Sequence, residues 1–190
     1  MIEPYIETVS GTKFYFQQPE PEMFNIEDIA HALSMNCRYT GQCARFYSVA
    51  EHSYLVSLLL EGTSLELAGL LHDGSEAYIT DIASPIKQFL PDYLKMEDNI
   101  MDALFTKYGL EYPMHPAVKH CDRVMLSTEA HYLLPSKGNT WDMWLKPNSR
   151  PKIEAGIIPS CVDPKVAKNL FLDRYTELIN RINDNKNNRN

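Results

Sequence analysis

The sequence predicts a single all-α domain with a short β-hairpin near its N-terminus. Apolar residues recur at helical spacing along most of the chain, whereas alternation typical of strands is confined to residues 5–16. The length of 190 residues is that of one domain. No run of about 18 apolar residues is present, so no membrane span is expected. We expect one domain over residues 1–183 and a disordered polar tail over residues 184–190.

The first predicted elements are a hairpin and a capped helix. The stretch YIETVSGTKFYF alternates apolar and polar positions around Gly11, which is typical of two short strands joined by a glycine turn. A break of proline and acidic residues follows, and Asn25 is the predicted N-cap of the helix NIEDIAHALSMN. The next stretch, CRYTGQCARFY, shows no periodicity and is expected to form an irregular loop.

Two consecutive helices are predicted in the middle of the chain. Ser48 is the expected cap of VAEHSYLVSLLLEG, whose apolar residues keep helical spacing until Gly62 ends the run. Ser64 is expected to cap LELAGLLHDGSEAYI as one continuous helix. This second segment is apolar on nearly all sides, and such a helix is usually buried. We therefore expect it to be central in the fold.

The second half of the chain predicts further helices and one long loop. Helices are expected over residues 84–90 and 92–108, over 114–134, and from about Pro164 to Asn183. Between the last two, PSKGNTWDMWLKPNSRPKIEAGIIPS has the composition of a long loop or lid.

Both tryptophans, Trp141 and Trp144, lie in this predicted loop over residues 135–160. They could cover a bound ligand, or they could be buried in a subunit contact, where aromatic residues are favoured. The sequence leaves both interpretations open.

Charge and cysteine spacing exclude several function classes. A net charge of -7 disfavours a large nucleic-acid surface, which needs a basic face. The chain has four cysteines, Cys37, Cys43, Cys121 and Cys161. They lack C-x-x-C spacing, which argues against both a zinc ribbon and a disulfide framework. The N-terminal segment lacks the pattern of a secretory signal, so a cytoplasmic location is expected.

The stretch LHDGSEAYITD places ionisable side chains within an apolar segment. Successive helical residues turn by about 100°, so His72, Asp73 and Glu76 would share one arc of the surface. Buried imidazoles and carboxylates are costly unless they pair with each other or with a metal. His52 on the preceding helix and Asp122 within VKHCDRVML are further polar residues on apolar helix faces. Such a set suits a divalent cation.

The segments AEHS, LHDGSEAYITDIASPIK and KHCDRVML, in this order, resemble the H...HD...D signature of the HD-domain metal-dependent phosphohydrolases. Within that superfamily the chain looks most similar to the phage dATP triphosphohydrolases and the bacterial 5'-deoxynucleotidases. The resemblance covers residues 25 to about 135. It implies a helical HD domain, a homo-oligomer, a small deoxynucleotide substrate, and location in the host cytoplasm if a phage encodes the protein.

The resemblance also implies roles for individual residues. One divalent cation (Mn, Co, Zn or Mg) would be held by four ligands: His52, His72, Asp73 and Asp122. Glu76 and Asp81 would orient and deprotonate the attacking water and help to protonate the leaving oxygen.

The residues expected to bind substrate are cations and one aromatic. Arg38, Lys87 and Arg45 are the candidates for contacts to phosphoryl oxygens. Tyr39 stands where the 5'-deoxynucleotidases carry a tryptophan. It could stack on a base or press against the deoxyribose, and this departure leaves the sugar specificity open.

The resemblance leaves alternative activities open. A dATP or dNTP triphosphohydrolase, releasing triphosphate or removing phosphates stepwise, is the leading candidate, and a 5'-deoxynucleotidase acting on dNMPs is the alternative. A signalling-nucleotide phosphodiesterase and an inactive HD binding module are further alternatives. No second metal is expected, because His115, His120 and His131 lack the spacing of binuclear relatives.

Overall fold

The computed structural model describes residues 4–138 and 156–188. Over these ranges the fold is mostly helical with one two-stranded sheet, as the sequence predicts. Among the described helices, none is both long and apolar enough to cross a membrane. Most of the predicted loop over residues 135–160, including Trp141 and Trp144, lies outside the described residues.

The N-terminal hairpin pairs β1 (Tyr5–Glu7) with β2 (Lys13–Tyr15) in antiparallel register, with Ile6 opposite Phe14. Gly11 lies in the turn with φ of +86°, in the region that glycine adopts most readily. Phe14 is fully buried. The predicted hairpin is therefore confirmed, and it packs on the helical core through one face.

A buried carboxylate fixes this hairpin to the first helix, α1 (Ile26–Met35). Asn25 caps the helix by accepting a hydrogen bond from a backbone N–H of the first turn, as predicted. Asp28, which is 3% exposed, accepts hydrogen bonds from the hydroxyls of Thr8 and Ser10 and from the backbone N–H of Ser10. Because these three donors together satisfy the buried carboxylate of Asp28, they hold the hairpin and α1 in one arrangement.

One helix near the centre of the fold organises the others. The helices after α1 among the described residues are α2 (Val49–Leu59), α3 (Glu66–Leu71), α4 (Glu76–Ile79), α5 (Ser84–Lys87), α6 (Pro91–Lys107), α7 (Pro116–Leu133) and α8 (Pro164–Asn187). Ser48 caps α2 as predicted, its hydroxyl accepting from the N–H of Glu51 at 3.1 Å. Because α2 packs against α1, α3, α7 and α8, its buried residues lie where several elements meet.

The expectation of one continuous helix capped by Ser64 is wrong, because residues 72–75 separate α3 from α4 and α3 begins without a side-chain cap. In this break the backbone N–H groups of Gly74 and Glu76 donate to carbonyls three residues earlier, the tighter 3-10 pattern. Gly74 also lies so close to α6 that an added Cβ would be 2.7 Å from Leu104 Cδ1. The break thus lies where the chain passes close to α6.

Several predicted helix boundaries shift, and the helix expected over residues 84–90 ends at Lys87. Pro91, expected to separate two helices, is the first residue of α6, where its missing N–H costs nothing. The last helix continues to Asn187, beyond the expected end at Asn183. Residues 184–187 are thus helical rather than part of a disordered tail over 184–190. Composition alone does not reveal this extension, because an existing helix gains one hydrogen bond for each residue it adds.

Candidate metal centre

Two histidines face each other between α2 and the turn that follows α3. His52 is fully buried and His72 is 5% exposed, and their Nε2 atoms lie 3.2 Å apart. Each Nδ1 is engaged on the opposite side of its ring: His72 Nδ1 lies 2.8 Å from the carbonyl of Gly69, and His52 Nδ1 lies 2.5 Å from Glu129 Oε1. With Nδ1 donating, each Nε2 presents a lone pair to the space between the rings.

Two carboxylates border this space. Asp122 on α7 places Oδ1 3.3 Å from His52 Nε2 and 3.8 Å from His72 Nε2. Asp73 Oδ2 lies 3.2 Å from His72 Nε2 and 3.5 Å from His52 Nε2. For metal–ligand distances of about 2.1 Å, neighbouring ligands of a tetrahedral ion lie about 3.4 Å apart. The separations between each carboxylate and the two imidazoles are therefore close to those of ligands on one ion.

Three of the predicted ligands form a group that could hold a metal ion: the ligand atoms of His52, His72 and Asp122 all lie within 4.8 Å of one another. The fourth, Asp73, adjoins both imidazoles but is also shared with a cation, because its Oδ2 lies 3.3 Å from Arg38 Nη1. Asp73 therefore lies beside this three-residue group, and the metal identity is not shown.

The ionisable groups of the centre shift one another's pKa values. Burial, and for His52 also the charge of Arg38, disfavours the protonated imidazoles. Nearby carboxylates outweigh these effects and raise the pKa of both histidines, chiefly Glu129 for His52 and Asp73 for His72. Burial would raise the pKa of Asp122, but its contacts to the two imidazoles lower it well below its usual range. The centre thus favours positive charge between its carboxylates.

Glu76, at the start of α4, lies beside the centre. Burial, followed by the charges of Asp73 and Asp81, raises its pKa well above the usual range. Its Oε1 lies 3.7 Å from Lys87 Nζ, whereas Oε2 is buried without a hydrogen-bond partner among the described residues. Lys87 Nζ also lies 2.6 Å from Glu97 Oε1. The carboxyl of Glu76 therefore keeps Oε2 available for another partner.

A cleft of about 420 Å³ is lined by residues that include Arg38, Tyr39, Asp81, Leu126 and Leu134. Its volume lies within the usual range for small-molecule pockets. The cleft therefore combines a cation and a carboxylate with apolar walls that could contact an organic group.

The cleft residues Arg38 and Tyr39 belong to a short 3-10 turn, Arg38–Gly41, with an unusual backbone. Tyr39 and Thr40 have φ values of 58° and 51°, in the left-handed region that residues other than glycine seldom adopt. Such strain persists only where surrounding contacts impose it. Arg45 is not brought to the cleft, because its guanidinium donates to the carbonyl of Cys161 at 3.4 Å.

The sequence interpretation missed one buried residue of the centre, Glu129. It is 0% exposed, and although burial raises its pKa, Arg38 and His52 lower it below the usual range. A signal was present in the spacing: Glu129 follows Asp122 by seven positions, which returns a helix to nearly the same face. Its neighbour in space, Tyr47, is fully buried and was also missed.

No protein-family model matches the chain. Two relatives do. The chain is 37% identical over 175 residues to "Uncharacterized protein YfdR" of Escherichia coli K12, an alignment that covers 92% of this chain and 95% of the relative. It is 34% identical over 138 residues to "Uncharacterized protein RCAP_rcc00048" of Rhodobacter capsulatus, covering 66% of this chain and 70% of that relative.

Proposed function

The chain belongs to the same family as YfdR of Escherichia coli, and from the site of this member we propose a divalent-metal-dependent phosphohydrolase of 2'-deoxynucleotides with an HD-domain fold. The observation that carries the proposal is the convergence of two imidazole Nε2 atoms and two carboxylates from three separate parts of the chain: α2, the turn after α3, and α7. Mixed imidazole and carboxylate donors that converge in this way are typical of divalent-cation sites.

The donor set fits a divalent cation. His52 and His72 both use Nδ1 for a fixed hydrogen bond, which is the usual arrangement of metal-binding histidines. Asp73 and Asp122 would complete the set, and mixed nitrogen and oxygen donors suit Mn²⁺, Co²⁺, Zn²⁺ or Mg²⁺ to different degrees. A cation held there would supply Lewis acidity toward a phosphoryl oxygen.

Glu76 and Asp81 are the groups that would move protons. Burial raises the pKa of both carboxyls, and the charge of Asp73 raises it further. A carboxyl with a raised pKa can accept a proton from water and return it to a leaving oxygen. We assign Glu76 the larger role because its Oε2 has no other partner among the described residues.

The substrate would lie in the cleft beside these acids. Arg38 lines the cleft and could contact equatorial phosphoryl oxygens, as cations do in phosphoryl transfer. Lys87, whose Nζ lies 3.7 Å from Glu76 Oε1, would stabilise negative charge on the leaving group. The ring of Tyr39 and the apolar side chain of Leu126 would contact the nucleoside. Arg45, which contacts Cys161, has no such position.

Within this class, dNTP triphosphohydrolase is the leading candidate and rests on the resemblance alone, with dATP as its first substrate to test. A 5'-deoxynucleotidase acting on dNMPs would use the same cation ligands and acids. The two activities differ in the products they release, so one product analysis distinguishes them.

The test is an assay of the purified protein with each of Mn²⁺, Co²⁺, Zn²⁺ and Mg²⁺ against all dNTPs and dNMPs, their ribonucleotide counterparts, and cyclic dinucleotides. Chromatography separates triphosphate, phosphate and nucleoside. We expect hydrolysis of deoxynucleotides, with triphosphate and deoxynucleoside from dNTPs. Nucleoside and phosphate from dNMPs would favour the nucleotidase. Hydrolysis of cyclic dinucleotides alone, or no hydrolysis with any cation, would contradict the proposal. Asp122→Ala, purified in the same way, controls for contaminating phosphatases.

A further inference from the structure

Glu129 contacts four side chains of the site, although it lines neither the metal position nor the cleft. Its Oε1 lies 2.5 Å from His52 Nδ1 and 2.8 Å from the Tyr47 hydroxyl. Its Oε2 lies 2.9 Å from the Tyr39 hydroxyl and 3.3 Å from Arg38 Nε. A carboxylate offers about four acceptor positions. The four donors therefore satisfy this buried charge completely.

The two oxygens serve different parts of the site. Oε1 faces His52, whose Nε2 points toward the metal position, and Oε2 faces Arg38 and Tyr39, which line the cleft. We propose that Glu129 is a positioning residue that joins the metal ligand His52 to the substrate-binding turn Arg38–Gly41 through its two separate oxygens. The substrate half of this inference rests on the proposed function, whereas the metal half does not.

The backbone of the turn shows why such a restraint is needed. Tyr39 and Thr40 both have positive φ, a strained conformation for residues with a side chain, which persists only where the surroundings impose it. The hydroxyl of Tyr39 donates to Glu129, with a longer contact of 3.5 Å to the carbonyl of Leu126, and Arg38 Nε donates to the same oxygen. The side chains of Arg38 and Tyr39, at the start of the strained segment, thus both donate to Glu129 Oε2.

Replacing the carboxylate by an amide distinguishes the two oxygens. In Glu129→Gln, a cation on His52 Nε2 requires Nδ1 to remain protonated, so the amide oxygen must face His52. The amide NH₂ then faces Arg38 Nε, which cannot accept a hydrogen bond. We therefore expect the substrate-binding turn to lose its restraint while the metal ligand keeps a weaker partner.

The experiment measures both halves with the full chain. Mn²⁺ affinity by titration calorimetry is expected to fall by about 10- to 100-fold in Glu129→Gln, the usual effect of mutating the outer partner of a metal-binding histidine. Amide hydrogen exchange of peptides covering residues 38–42 is expected to become faster. With an active substrate, KM should rise more than kcat falls, because the ground-state contact of Arg38 is weakened.

Tyr47→Phe is the matched control, because it removes one donor from Oε1 but leaves His52, Tyr39 and Arg38 in place. It should change Mn²⁺ affinity and exchange of residues 38–42 less than Glu129→Gln does. If Glu129→Gln does not fold by circular dichroism, Glu129→Asp retains the charge but withdraws both oxygens, and both readouts should change together. Unchanged Mn²⁺ affinity, or unchanged exchange in the turn, overturns the bridging role even if no deoxynucleotide is hydrolysed.

Discussion

The Nε2 atoms of His52 and His72 lie 3.2 Å apart, although the residues are twenty positions apart and belong to different elements. Both rings donate from Nδ1 to a fixed acceptor, Glu129 or the carbonyl of Gly69. Two nitrogen lone pairs at this separation repel each other unless a proton or a cation lies between them. The pair is therefore arranged to share a positive charge, which Asp122 at 3.3 Å from His52 would also stabilise.

Metal binding should stabilise the folded chain. A ligand present at about 100 times its Kd adds about 2.7 kcal/mol to the free energy of unfolding, and each kcal/mol raises Tm by about 2 to 4 °C for a chain of this size. We expect Mn²⁺, Co²⁺ or Zn²⁺ to raise Tm after treatment with a chelator, as measured by differential scanning calorimetry. Asp122→Ala should lose this increase, whereas Ala at the exposed Asp173 should keep it. Equal increases in both variants would place the metal elsewhere.

The predictable part of the site came from side chains whose polarity conflicts with their surroundings. His52 lies in an apolar helix and Asp122 in another, and because buried polar groups need partners, their convergence with His72 and Asp73 was expected. The structure brings these four together. The hairpin and both caps, Asn25 and Ser48, could be predicted because their signals are local in sequence.

The remaining features depend on contacts that a single sequence does not display. The break between α3 and α4 occurs where Gly74 approaches Leu104, thirty positions away. Glu129 carries the right helical spacing but was indistinguishable from a solvated acid until its four donors were seen. Arg45 has the charge of a phosphate ligand, yet the chain folds it onto the carbonyl of Cys161.

Glu76→Gln should separate proton transfer from metal binding. The amide keeps the shape of the carboxyl but cannot accept or release a proton, so turnover should fall by roughly 100-fold or more. Because Glu76 is not among the metal ligands, the stabilisation by Mn²⁺ should persist in calorimetry. Glu97→Gln is the matched control, since both carboxylates contact Lys87 but Glu97 has no assigned proton to move. Equal losses in the two variants would contradict the role of Glu76.

Arg38→Lys should not behave as a conservative change. The guanidinium reaches Glu129 through Nε and Asp73 through Nη1, both at 3.3 Å, whereas an ammonium is a single point charge that cannot reproduce this fork. An Arg38 side chain that is no longer held in place would lose a hydrogen bond to a charged phosphoryl oxygen of the substrate. Such a loss costs about 1.5–3 kcal/mol, so kcat/KM should fall by about 10- to 100-fold in steady-state assays. Arg123→Lys, at an exposed position on α7, should be neutral. An unchanged kcat/KM in Arg38→Lys would contradict the role of Arg38 in substrate binding.

Gly69 connects the packing of the helices with the geometry of the metal centre. A Cβ added there would lie 2.5 Å from Leu60 Cδ1 and 3.3 Å from Ser57 Cα, so α2 and α3 approach closely only because position 69 has no side chain. The carbonyl of Gly69 also accepts the hydrogen bond from His72 Nδ1. The residue that sets the distance between the helices therefore also orients the second imidazole.

Gly69→Ala should consequently weaken both folding and metal binding. Overpacking of this kind costs about 1–3 kcal/mol, measurable as a lower midpoint of urea unfolding, and separation of α2 from α3 would move His72 away from His52. Mn²⁺ affinity should therefore fall even at temperatures where the variant is fully folded. The double variant Gly69→Ala with Leu60→Ala removes the closer of the two clashes, so its loss of stability should be smaller than the sum of the single losses. Additive losses, or wild-type Mn²⁺ affinity in folded Gly69→Ala, would show that the metal centre does not depend on this helix contact.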